Sequence, residues 1–179
     1  MIIALTGTDD HAASDLAQQL ALLRTAAGAS VLLMSSAHAQ RMRRSLRYDD
    51  IVICTANGAM ALSMAGVIVV LVRPADLQDQ QQSELLARIR HAVDLNPHAR
   101  VLVSVAHGAR ELSPQEVGKV LVFVAQMKSA RLADRLVLDE SGAYHTRHSV
   151  LAHEDDQEML CAPEVRYLYR QVFHGAQPE

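Results

Sequence analysis

Lysine is almost missing from this chain. Only Lys119 and Lys128 occur among its 179 residues, and neither lies in the first half. A lysine-based anion site near the N-terminus is thereby excluded. Cysteine is scarce as well. Cys54 and Cys161 stand far apart in the sequence, which argues against a disulfide framework. No apolar run is long. The longest, Met64 to Val72, is about half of the roughly 20 residues that a membrane-spanning helix requires. No basic stretch followed by a long apolar segment opens the chain, so a secretory leader is not expected. Aromatic residues make up only 3% of the chain. The net charge of −3 gives no bulk attraction to nucleic acid or anionic lipid. Together these absences predict a cytoplasmic protein without membrane insertion.

What is present points to a globular fold. Half of the residues are hydrophobic, far above the level of disordered chains. The length suits one domain spanning 1–179 with a substantial core. Short apolar runs alternate with helical patterns. The strand candidates are Ile2–Thr6, Val31–Ser35, Ile51–Cys54, Val67–Val72, Val101–Val105 and Leu136–Leu138. Most are continuously apolar, as in strands covered on both faces.

Helical spacing runs from His11 to Ala27, with Leu16, Leu20, Leu23 and Ala27 on one side and Gly28 as the stop. A second helix runs from Asp79 to Val93 on Leu85, Leu86, Ile89 and Val93, ended by Asn96-Pro97. Ser113-Pro114-Gln115-Glu116 reads as a capping box ahead of an apolar helix from Val117 to Met127. Pro163 opens a last helix carrying Val165, Leu168, Tyr169 and Val172. This alternation predicts an α/β fold: a three-layer, doubly wound, mostly parallel sheet of the P-loop NTPase-like kind.

The first strand runs into Gly7-Thr8-Asp9-Asp10-His11 and then a helix. In nucleotide-binding α/β proteins this turn holds phosphate through backbone N–H groups, a helix N-terminus and usually a lysine. Here two aspartates occupy it. A carboxylate suits a helix N-terminus, but it takes the place of phosphate and repels it.

The order of elements resembles the ParA/MinD-type partition and positioning ATPases, in particular short ParA forms without an N-terminal DNA-binding domain. MIIALTG resembles the family's first strand. LAQQLALLRTAAGASVLLM resembles its first helix, glycine turn and second strand. Tyr48-Asp49-Asp50-Ile51-Val52-Ile53 is similar to its third-strand entry, and Val69 to Pro74 to its fourth strand. Asp139 to His153 resembles the stretch after the last strand.

The departures fall on the chemistry. The family pattern K-G-G-x-x-x-K-[ST] meets Gly7-Thr8-Asp9-Asp10-His11-Ala12-Ala13-Ser14, with both lysines missing and Ala13 at the second. The second strand ends in Ser35-Ser36-Ala37 where the family has D-x-D, and the third ends in Cys54 where the family has a metal-binding Asp. Phosphoryl transfer relies on positioning and charge neutralisation by lysine and Mg²⁺. The resemblance therefore implies a degenerate, non-catalytic member with no cofactor. The alternative is an atypical ATP- and Mg-binding switch, in which Gly7, Thr8 and Ser14 make the remaining phosphate contacts.

Other residues offer surfaces. Arg41, Arg43, Arg44 and Arg47 cluster before the third strand, either as an anion patch or as a solvated face pairing with Asp49 and Asp50. The resemblance places DNA contacts near Arg147 and on the C-terminal helix, at Arg166 and Arg170, but Glu154, Asp155, Asp156 and Glu158 oppose them. His145, His148, His153 and Cys161 match no zinc spacing. Cys54 has no evident activating base and reads as a small buried hydrophobe. Tyr167, Tyr169 and Phe173 hold half of the chain's six aromatics, and aromatics beside arginine favour an interface. The expected partner is a protein, either a true ATPase or a second copy in a homo-oligomer. DNA is the less favoured partner, and no metal site is expected. Partition, conjugation, polar positioning and secretion are the processes in view.

Overall fold

The computed structural model describes residues 1–8, 10–35, 47–54, 59–77, 79–107, 112–127, 130–133, 136–137 and 163–174. Its strands are β1 (Ile2–Gly7), β2 (Val31–Ser35), β3 (Asp50–Cys54), β4 (Val67–Val72), β5 (Arg100–His107), β6 (Ala130–Leu132) and β7 (Leu136–Val137). Its helices are α1 (Asp10–Ala26), α2 (Ala59–Met64), α3 (Asp79–Leu95), α4 (Pro114–Ala125) and α5 (Pro163–Phe173). Six strands lie side by side in the order β2-β3-β1-β4-β5-β6, and β7 also pairs with β5. Every pairing is parallel. The expected α/β architecture is what the chain adopts.

Strand alternation sorts the core into two layers. Ile3, Leu5, Val67, Val69 and Leu71 face one way and meet Leu16 and Leu20 of α1 and Val165, Leu168 and Val172 of α5. Ala4, Ile68, Val70, Val101 and Val103 face the other way and meet Leu85, Leu86 and Ile89 of α3 and Val120 and Phe123 of α4. The central strands read as unbroken apolar runs because both of their faces are covered.

Local signals set the helix ends. Asp10 in the first turn of α1 and Arg24 in the last suit its dipole. Gly28, at φ +87°, ends it in a backbone conformation that favours glycine. The expected capping box opens α4: Ser113 Oγ accepts from the Glu116 N–H at 3.3 Å, and the Ser113 N–H donates to Glu116 Oε2 at 2.8 Å.

Three differences from expectation have simple causes. Strand β6 was not expected, because Ala-Arg-Leu is too short to show a period and lacks β-branched residues. Helix α2 was not expected either, since six residues cannot display a helical stripe. Ala27 lies past the end of α1 and is exposed, so it does not continue the apolar face. Leu138 lies outside the described residues. Among those described, no helix is long and apolar enough to cross a membrane.

At the amino ends of the strands, Asp50 is nearly buried, at 3% exposure. Arg24 Nε donates to its Oδ2 at 2.6 Å, and the Met1 amino group lies 3.1 Å from its Oδ1. The Arg24 guanidinium also stands over the Phe173 ring, 5.0 Å from its centre. From the start of β5, Arg100 donates to the Val172 carbonyl at 2.8 Å. Two arginines thus fasten the end of α5 to the sheet.

Candidate functional site

Adjacent strands β1 and β4 send their connections to opposite faces. The chain leaves β1 through α1 on one face, and leaves β4 through α3 on the other. In open parallel sheets the crevice between two such strands, at their carboxyl ends, is where ligands bind. Here it is formed by Gly7 and Thr8 from one side and by Arg73, Pro74 and Asp76 from the other.

The two sides are tied directly together. Gly7 stands opposite Leu71 in the sheet. A Cβ on Gly7 would lie 2.3 Å from the Leu71 carbonyl oxygen, so this approach requires glycine. The Thr8 N–H donates to that same oxygen at 3.1 Å. The Thr8 hydroxyl accepts from the Arg73 N–H at 3.3 Å and donates to Asp76 Oδ2 at 3.4 Å. Asp76 is placed by a 3-10 turn over Pro74–Asp76, in which its own N–H donates to the Arg73 carbonyl at 3.0 Å.

The turn is also short. Strand β1 ends at Gly7 and α1 begins at Asp10, whereas a phosphate loop of the G-x-x-x-x-G-K-[ST] kind wraps several residues around its anion. Ala13, at the position of the second family lysine, is fully buried in α1. Ser14 lies in the second turn of α1, on the side towards Cys54 at the end of β3. Burial pushes the Cys54 thiol up, and the nearby Asp10 carboxylate adds to the effect while Ser14 offsets part of it. A thiol held up in this way stays protonated at neutral pH and is a poor nucleophile. Its sulfur sits 4.0 Å from the Asp10 carbonyl oxygen.

A triphosphate with magnesium needs free backbone donors, a cation and a hydroxyl for the metal. The Thr8 N–H and hydroxyl are engaged within the protein, and the carboxylate of Asp76 holds Thr8. No lysine precedes Lys119.

Solved structures give the fold its class. Over 98% of this chain and 96% of its own, cobyrinic acid a,c-diamide synthase from Mycobacterium smegmatis, with bound ATP analogue and magnesium, superposes at a TM-score of 0.61 with 13% identity. Another structure of that synthase covers 100% of both chains at 0.60 and 12% identity. A plasmid partition protein from Borrelia burgdorferi matches over 97% of this chain and 96% of its own, at 0.54 and 10% identity. The chain therefore shares the α/β, P-loop NTPase-like fold of these structures. No protein-family model matches the sequence, nor does any curated protein.

The other expected contact residues are scattered. Arg41, Arg43, Arg44 and Arg147 lie outside the described residues, as do Ser36, Ala37, His145, His148, His153 and Cys161. Arg47 is exposed. On α5, Tyr169 and Phe173 turn inward and pack against each other, ring centres 4.8 Å apart. Tyr167 is 54% exposed with the Arg170 guanidinium 5.8 Å from its ring centre. Tyr167→Ala and Arg170→Ala should each change stability by less than about 0.5 kcal/mol, as exposed substitutions do. A larger loss in urea unfolding would mean that this pair holds the fold. Sequence reasoning missed Arg73 and Asp76. Their only signal was their place after an apolar strand.

Proposed function

We propose that this chain is a non-catalytic binding or regulatory protein built on the ParA/MinD-like scaffold, acting through association with another protein. The observation that carries this reading is the closed turn after β1, where Thr8 is bonded by its N–H to Leu71 and by its hydroxyl to Arg73 and Asp76. Donors that would face a phosphate in an open loop face the sheet instead. A short connection, Asp10 at the start of α1 and the lack of any lysine before Lys119 act in the same direction. Partition, conjugation, polar positioning and secretion are settings in which such a protein would serve beside a true ATPase. The exposed Tyr167 and Arg170, with Arg166 on the same helix, are candidate partner contacts.

The second reading is a nucleotide-dependent switch that uses Gly7, Thr8 and Ser14. It is favoured by the similarity to a synthase structure that holds an ATP analogue and magnesium. One experiment separates the two. A ligand that binds only the folded state adds about 2.7 kcal/mol at 100 times its dissociation constant, enough to move a melting curve by several degrees. The expected result is no shift with ATP and magnesium, and no phosphate release above background. A clear rise in melting temperature, or turnover abolished by Ser14→Ala, would establish the switch instead.

A further inference from the structure

Two arginines share one face of the sheet at its amino end. Arg100 opens β5, and Arg131 is the middle residue of β6. Strand alternation puts Arg100 on the side of Leu102, two residues on. Arg131 is the partner of Leu102 in the parallel register, so it stands on that side too. Leu102 packs in the layer that holds Val165, Leu168 and Val172 of α5. Both arginines therefore lie on the α5 side, on neighbouring strands.

Both line one cavity of about 350 Å³. Small-molecule pockets run from roughly 300 to 1,000 Å³. Gln171 of α5 adds a third polar side chain to the lining, and Leu102 and Leu132 are among its apolar residues. None of the described residues that line it is acidic. Arg100 is held in place by the Val172 carbonyl at 2.8 Å and the Gln171 carbonyl at 3.4 Å. These acceptors are neutral, so they leave its charge uncompensated. Arg131 is exposed and has no hydrogen bond or ion pair among the described residues. Two like charges side by side repel, and this happens in a chain whose net charge is −3. An anion between them would turn repulsion into attraction.

We propose that this cavity binds a small amphipathic anion. Its phosphate or carboxylate head lies between Arg100 and Arg131, and its short apolar body lies against Leu102 and Leu132. Guanidinium groups suit such heads because they offer paired, planar donors. The cavity is at the opposite end of the sheet from the crevice at Gly7 and Arg73. The inference thus goes beyond the reading above and does not depend on whether that crevice takes nucleotide.

The test is an NMR titration of the full chain at low salt with butyl phosphate, pentanoate, inorganic phosphate and 1-butanol. Butyl phosphate or pentanoate should bind with a Kd of about 1 mM or tighter, a realistic figure for so small a ligand. The tighter of the two identifies the head. Inorganic phosphate lacks the apolar body and butanol lacks the charge, so each should bind at least about tenfold more weakly. Arg131→Glu should abolish binding and leave the melting temperature unchanged, as exposed substitutions do. If that variant melts early, Arg131→Gln serves in its place and should weaken binding about tenfold. Failure of both butyl phosphate and pentanoate to bind overturns the proposal, as does binding that survives the loss of Arg131. Equal binding of inorganic and butyl phosphate also overturns it, because the apolar side of the cavity would then be idle. Duplex DNA that binds through Arg131 where neither small anion does would make the arginines a nucleic-acid contact instead.

Discussion

Gly7→Ala is expected to cost about 3 kcal/mol or more of folding stability, a large part of what a domain of this size possesses. The added methyl would stand 2.3 Å from the Leu71 carbonyl oxygen and 3.2 Å from the Leu71 Cβ. The obstacle is backbone, which cannot rotate away as a flexible side chain can. Strands β1 and β4 must separate at Gly7 and Leu71, and the Thr8 N–H then loses its bond to the same oxygen. Gly66→Ala is the control. Its Cβ would find its nearest neighbour, the Ile2 carbonyl oxygen, at 3.8 Å, an ordinary contact, and the change should stay within about 1 kcal/mol. Urea midpoints of both variants decide the matter. If Gly7→Ala unfolds with the wild type, the turn is open, and the glycine is available for a ligand.

The second large effect concerns Asp50. Burial alone would raise the pKa of its carboxyl. The hydrogen bond from Arg24 and the nearby amino terminus outweigh that and leave it below the ordinary 3.8. A carboxyl depressed in the folded state contributes stability above its unfolded pKa and loses it as pH falls through the folded value. Asp50→Asn keeps the shape and removes the charge, leaving the partly covered Arg24 without its carboxylate. The expected loss at pH 7 is about 2 kcal/mol, below the range for a fully buried pair because Arg24 remains 27% exposed on its side chain. The difference between wild type and Asp50→Asn should shrink as pH drops below about 4. Equal stability of the two at pH 7, or a gap that widens in acid, would show that this pair does not brace the fold. Loss of the pair should also loosen the end of α5, because Arg24 stands between Asp50 and the Phe173 ring.

The same contrast between local and distant determinants runs through the whole chain. Period and punctuation are local properties, and they sufficed for the strands of the central sheet, for α1 ended by Gly28, for the Ser113–Glu116 box and for the inward face of α5. The strand–helix alternation sufficed for the parallel three-layer fold. The lack of lysine, which needs no alignment, was enough to question the nucleotide site. What the first turn does instead was beyond the sequence. Nothing in Gly7-Thr8-Asp9-Asp10 says that α1 starts after two residues, that Thr8 bonds across to Leu71 and Arg73, or that Asp76, 68 residues away, takes its hydroxyl. Those contacts exist because parallel pairing brings β4 beside β1, a long-range event with no local pattern. The exposure of Val117, Leu121 and Val122 on α4 was equally hidden. The pattern marks an apolar helix, but composition cannot tell the side of a helix that meets the sheet from the side left facing water. Only the packing of Val120 and Phe123 against the sheet decided which side that was.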